Sequence, residues 1–282
     1  MANVFSVDVE DYFQVEAFSS IVSHNDWKTY PSRVVANTQR ILEMLARHNV
    51  RGTFFVLGWV ARRHPALVRE IASQGHEIAS HGMTHRLVYN QTETEFRAET
   101  LDSKKILEDQ CQRAVTGYRA ATYSITNKSL WALDILCDAG FLYDSSIFPV
   151  WHDKYGIPDA QRLPHRMRTP AGQEIVEFPI TVLQRGKLRV PIAGGGYFRL
   201  FPYFFSNWAL SSINREGQDF VFYTHPWEID PGQPRIDNAA PLSRFRHYLN
   251  LRRCEARLDR LLGDFQFETM HANLLRTGLL ID

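Results

Sequence analysis

The stretch His76-Glu77-Ile78-Ala79-Ser80-His81-Gly82-Met83-Thr84-His85 begins as a short apolar strand and ends in two imidazoles four residues apart. Two such histidines and a carboxylate from a distant strand can together hold one divalent metal. The spacing alone decides little, because with 11 histidines in 282 residues chance supplies roughly 0.4 pairs of this kind. The decision rests on what flanks the stretch.

Upstream, Pro65 opens a short helix over 66–73 that Gly75 terminates. Before it, Ser32 can cap a helix whose apolar positions Val35, Ile41, Leu42 and Leu45 recur at helical spacing to about Asn49. A strand over 53–57 follows, and a first strand runs over 4–9. Downstream, a helix over 92–108 leads to a strand over 115–118. A helix over 128–139, stopped by Gly140, leads to a strand over 141–143 that ends at Asp144. A last cycle runs from a helix over 204–215 through the apolar strand 220–223 to His225. This alternation predicts an α/β architecture with a mostly parallel sheet or barrel.

Asp8, His81, Arg119, Asp144 and His225 all fall at or just after the ends of these strands. That is the pattern of a barrel whose site lies at the C-terminal strand edge. The region 151–196 breaks the alternation and reads as hairpins and loops over one face. The span 242–262 reads as one outer helix, followed by a strand over 265–267. No internal repeat or linker interrupts the chain, which predicts one domain over 1–282, with the chemistry between 4 and 228 and 241–270 completing the barrel.

Composition narrows the function. A hydrophobic fraction of 44% supports a sizeable core, and 32 basic against 31 acidic residues provide no overall field for nucleic acid or an anionic membrane. Cys111, Cys137 and Cys254 lie too far apart for a cysteine-based zinc site. The apolar runs are too short to span a bilayer, and the start MANVFSVDVEDYF lacks the features of a secretory signal. A cytoplasmic protein is therefore expected.

Metal-assisted amide or ester hydrolysis needs a cation with an open position, a base for the water proton and an acid for the leaving group. Five blocks in order supply these types: Ser6-Val7-Asp8-Val9-Glu10-Asp11, the His76–His85 stretch, Gly117-Tyr118-Arg119-Ala120-Ala121-Thr122-Tyr123, Tyr143-Asp144-Ser145-Ser146 and Tyr223-Thr224-His225-Pro226-Trp227-Glu228. Together they resemble the metal-dependent polysaccharide deacetylases with the NodB homology domain, carbohydrate esterase family 4. The stretch 8–15, the block Gly194-Gly195-Gly196-Tyr197-Phe198-Arg199 and the Arg-rich C-terminal helix further resemble the subgroup from PEP-CTERM, or exosortase, exopolysaccharide loci.

The resemblance implies a distorted (β/α) barrel of the NodB type that removes N-acetyl groups from the N-acetylhexosamine units of a bacterial polysaccharide or its precursor. It implies His81 and His85 as ligands of a divalent metal, Zn2+ first, with Co2+ or Ni2+ as alternatives. Asp8 is the implied base, Arg119 its partner, His225 the implied acid and Asp144 the residue that orients it. Position 9 is Val9 where the family pairs acids directly, so the metal carboxylate is Glu10 or Asp11. Ala121 stands where the family has proline. Partners would be an N-acetylated oligo- or polysaccharide and an exopolysaccharide synthesis machinery. Two other readings share these residues: an allantoinase-like amide or ureide hydrolase, and a catalytically degenerate carbohydrate-binding protein.

Overall fold

The computed structural model describes residues 1–281. Its strands, in chain order, are β1 (Asn3–Val9), β2 (Thr53–Val56), β3 (Glu77–Ser80), β4 (Gly117–Tyr118), β5 (Tyr143–Asp144), β6 (His165–Arg168), β7 (Glu174–Glu177), β8 (Val182–Arg185), β9 (Leu188–Pro191), β10 (Val221–Thr224) and β11 (Phe267–Glu268). The helices are α1 (Val34–Arg47), α2 (Gly58–Arg63), α3 (Pro65–Ser73), α4 (Glu93–Cys111), α5 (Trp131–Asp138), α6 (Gly195–Leu200), α7 (Tyr203–Arg215), α8 (Pro241–Tyr248), α9 (Leu251–Asp264) and α10 (Met270–Arg276). Among them none is long and apolar enough to cross a membrane.

One sheet in the order β10-β1-β2-β3-β4-β5-β7-β6 forms the frame, parallel except for the antiparallel edge β6, with β11 added beside the start of β1. β1 is buried along its whole length, as expected of a strand with helices on one side and a barrel interior on the other. The sheet curls into a distorted (β/α) barrel without closing, since among the described residues no ladder joins β6 to β10. Residues 178–194 occupy that side instead. Thr181 Oγ1 accepts the amide of Val221, and Gly194 bridges to Tyr223. Gly194 sits at φ 137°, and a Cβ there would lie 2.0 Å from the carbonyl oxygen of Tyr223. The triple glycine is thus a close backbone approach to the strand that carries His225.

Local chemistry sets the helix ends. Thr92 and Glu95 form a reciprocal capping box at the start of α4, and Pro65 begins α3. The expected single helix over 242–262 is two: α8 and α9 break at Leu249 and Asn250, with Asn250 at φ 54°. Arg199 Nη1 takes the carbonyls of His247 and Leu249 there, so the break satisfies a buried guanidinium. The expected helix over 128–139 is shorter, beginning at Trp131.

The β5–β7 register sets Asp144 directly opposite Glu177, both without exposed surface. Ser146 donates through Oγ and N to Asp144, and the Ile147 amide donates to Glu177 Oε1. Burial raises both carboxyls, Asp144 to about 6, and the negative charge of Asp144 pushes Glu177 further up. The folded state therefore binds more protons than the unfolded chain above about pH 4, so stability falls as pH rises: the part due to Asp144 is lost as pH rises through about 6, and the raised Glu177 adds to the fall. Glu177→Gln, which removes one of the two raised carboxyls, is expected to weaken less between pH 5 and 8 than the parent protein, a difference of order 1–3 kcal/mol in urea denaturation. Parallel profiles for the two proteins would contradict a raised Glu177 carboxyl in the folded protein.

Candidate metal centre and active site

Four strand ends build the site. β3 delivers His81, and the turn after it, with Gly82 at φ 71° and His85 at φ 55°, brings His85 back beside His81, the rings 5.4 Å apart. A left-handed histidine is uncommon outside constrained sites. β1 delivers Asp8 and Glu10. Ligand atoms of Glu10, His81 and His85 lie within 4.8 Å of one another, each residue less than a tenth exposed.

The donor set fits a divalent cation on three counts. His81 Nδ1 lies 2.8 Å from the carbonyl of Arg119; a carbonyl can only accept, so Nε2 is left as the free lone pair. Burial lowers the His81 pKa to about 4, which keeps the ring neutral, as a ligand must be. Glu10 Oε2 is buried without a hydrogen bond of acceptable geometry although His85 Nε2 is 2.8 Å away. Burial opposes the Glu10 charge, yet the neighbouring histidines hold its carboxyl down at about 2.

Asp11 is not part of this cluster. Its carboxylate accepts from Ser32 Oγ and from the amides of Arg33 and Val34, the open N–H groups at the start of α1. Of the two candidate carboxylates, Glu10 is the one beside the histidines. Ser32, expected to cap α1 itself, instead donates to the residue that does.

Asp8 and Arg119 form a buried ion pair, Nη1 to Oδ1 2.7 Å, with exposures of 2% and 0%. The guanidinium also donates to Ser6 Oγ and to the carbonyl and hydroxyl of Ser145, and lies 4.0 Å from the Phe55 ring centroid. Every face of the charge has a partner, which is the condition for holding one inside a protein.

His225 Nε2 lies 3.9 Å from Asp8 Oδ2 and 3.7 Å from Glu10 Oε1. Its Nδ1 does not meet Asp144, the residue expected to orient it. Asp144 faces Glu177 and Ser146 instead, and His225 Nδ1 lies 2.8 Å from Glu228 Oε1. Glu228 Oε2 in turn accepts from Arg199 Nε at 2.6 Å. Burial disfavours the imidazolium, but the Glu228 hydrogen bond and the charges of Glu10, Glu228 and Asp8 push the His225 pKa up to about 9. Glu228 and Arg199 were invisible as functional residues, although an acid three residues after His225 on a tight turn is a readable signal.

Two histidines and a carboxylate at the C-terminal edge of a curled parallel sheet, with a buried Asp–Arg pair alongside, define the class: an α/β-barrel hydrolase centre. Residues 26–139 match the family model described as polysaccharide deacetylase. Residues 145–275 match a model described as a domain of unknown function, DUF3473. His81, His85 and Arg119 fall in the first segment, while Arg199, His225 and Glu228 fall in the second.

A chitooligosaccharide deacetylase of Bradyrhizobium is 32% identical over 99 residues, 35% of this chain and 43% of that protein. The chain thus spans less than half the length of that curated relative. A putative polysaccharide deacetylase from Mycobacterium smegmatis superimposes with a TM-score of 0.61 at 21% identity over 100% of this chain and 93% of that one. The allantoinase Puue superimposes with a TM-score of 0.63 at 15% identity, covering 99% and 92%. These two likenesses establish the fold.

Glu10→Gln and His85→Ala are each expected to abolish stoichiometric zinc binding in calorimetry. Asp11→Ala should retain it while losing about 2 kcal/mol of stability through the uncapped helix. Loss of zinc in the Asp11 variant alone would reverse the assignment.

Proposed function

We propose that this protein is a metal-dependent deacetylase that hydrolyses the N-acetyl amide of N-acetylhexosamine units in an oligo- or polysaccharide. The observation that carries the reading is convergence: His225 Nε2 lies 3.9 Å from Asp8 Oδ2 and 3.7 Å from Glu10 Oε1, and Glu10 clusters with His81 and His85. The likeness to the chitooligosaccharide deacetylase favours a saccharide amide, because the fold alone is shared with an allantoinase.

A divalent cation held by Glu10, His81 and His85, zinc by preference of the donors with cobalt or nickel as alternatives, supplies Lewis acidity toward the acetyl carbonyl and water. Asp8 has Oδ1 engaged by Arg119, which leaves Oδ2 to take the water proton. His225, an imidazolium at neutral pH, gives its Nε2 proton to the departing amine. Arg119 pairs with the base and fixes its orientation through Oδ1 and, through its carbonyl, sets the tautomer of His81. The turn after Arg119 holds Thr122 at φ 53° and Tyr123 at φ 54°, and such strain collects at functional sites. The Tyr123 amide is engaged by the Ala120 carbonyl, so the amides of Ala121 and Thr122 are the candidates to stabilise the oxyanion.

A cleft of about 460 Å³ opens beside His85, lined among others by Phe13, Gln14, Glu16, Trp27 and Arg86. It is the proposed route for the saccharide. An exopolysaccharide role, a synthesis-machinery partner, a cytosolic location and action of 1–282 as one unit belong to the same proposal and are supported by the block resemblance.

The test is acetate release from N,N′,N″-triacetylchitotriose by zinc-loaded protein, with allantoin as the control substrate. Activity is expected to vanish with a chelator, return with zinc and fall about 10²–10⁴-fold in Asp8→Asn. Turnover of allantoin without acetate release, or full activity in the Asp8 variant, would refute the reading.

A further inference from the structure

The pair Arg199–Glu228 has no place in the mechanism above, yet it is built with care. Arg199 is 2% and Glu228 1% exposed. A buried ion pair contributes little to stability compared with apolar packing of the same volume, so its presence calls for another reason. Glu228 Oε1 accepts from the His225 backbone amide at 3.1 Å as well as facing Nδ1, and Oε2 accepts from Arg199. Both oxygens are committed. Arg199 is held from behind by the carbonyls of His247 and Leu249, each at 2.8 Å, at the α8–α9 break, and its own carbonyl accepts from Asn250 and Arg257. Trp227 completes the clamp: its ring stacks on His225 at 5.1 Å and on His247 at 4.2 Å, and its Nε1 donates to Glu10 Oε1.

We propose that Glu228 is the positioning residue of the acid His225, that Arg199 fixes Glu228, and that the segment 145–275 therefore serves to carry and aim the acid half of the reaction. This rests on the reading of His225 as leaving-group acid. As the C–N bond breaks, its electron pair stays on nitrogen, which takes the proton from His225 Nε2; the imidazole is left neutral with its remaining proton on Nδ1, held by Glu228. The ring therefore starts and ends the step in one orientation. The base half, Asp8 with Arg119, and the metal ligands lie outside this segment. Two side-chain donors, Arg199 Nε–H and His225 Nδ1–H, each meet a different carboxylate oxygen, and the His225 amide shares Oε1 with Nδ1. Glutamine has one acceptor, so Glu228→Gln must break one of the two contacts with almost no change of shape.

The experiment compares two substrates on zinc-loaded protein: triacetylchitotriose, whose amine leaves only with a proton, and 4-nitrophenyl acetate, whose phenolate leaves without one. In Glu228→Gln the ratio of amide to ester kcat/KM should fall about 10–100-fold, part of the span typical of general acid catalysis. His225→Gln should lower that ratio further, and the double variant should match His225→Gln. A merely structural role would depress both substrates together and leave the ratio unmoved, and that result would overturn the proposal. So would a Glu228→Gln effect that persists in the His225→Gln background. If the wild-type protein hydrolyses neither substrate with any of zinc, cobalt or nickel, the deacetylase reading itself fails.

Discussion

The constraint on which this molecule turns is the enclosure of one guanidinium. Arg119 has no exposed surface, and a charge so placed must find every partner within the protein. It finds Asp8 on β1, Ser6 two residues earlier on the same strand, and Ser145 just past β5, with Phe55 of β2 beneath it. The ends of β1, β4 and β5 are thereby tied to one point. The carbonyl of the same residue orients His81, so the group that compensates the base also sets a ligand of the metal centre. Loss of Arg119 would leave Asp8 buried and unpaired, a change that typically costs 3–5 kcal/mol.

Much of this was legible in the sequence, for definable reasons. The barrel follows from strands and helices that alternate outside the region 151–196, and the polar residues at strand ends follow from the rule that parallel sheets present their sites at the C-terminal edge. The spacing of His81 and His85 needed the flanking strand and Gly82 to become meaningful, since the pair sits on a turn with two left-handed residues and not on a helix.

The rest depended on contacts between residues far apart in the chain. Glu10 and Asp11 are adjacent acids with equal claims on paper; what separates them is that the start of α1 comes to rest against Asp11 and consumes its oxygens. Asp144 stands in the block where a histidine-orienting acid is expected, but the β5–β7 register turns it toward Glu177, a residue in a region that breaks the regular pattern. The partner of His225 was three residues away in Glu228, and its anchor Arg199 lay beside a glycine run whose role is a close approach to β10. A continuous amphipathic pattern hid the break at Asn250, because periodicity registers which face is apolar and not whether a buried arginine needs the last carbonyls of a helix.

The central claim is that Glu10, His81 and His85 meet around one cation with the Asp8–Arg119 pair beside it. Anomalous diffraction at the zinc edge from metal-loaded crystals tests it most directly. One peak per chain is expected within bonding distance of those three side chains, with Asp11 still capping α1. A peak ligated by Asp11, or no ordered peak near His81 and His85 at saturating zinc, would contradict the account.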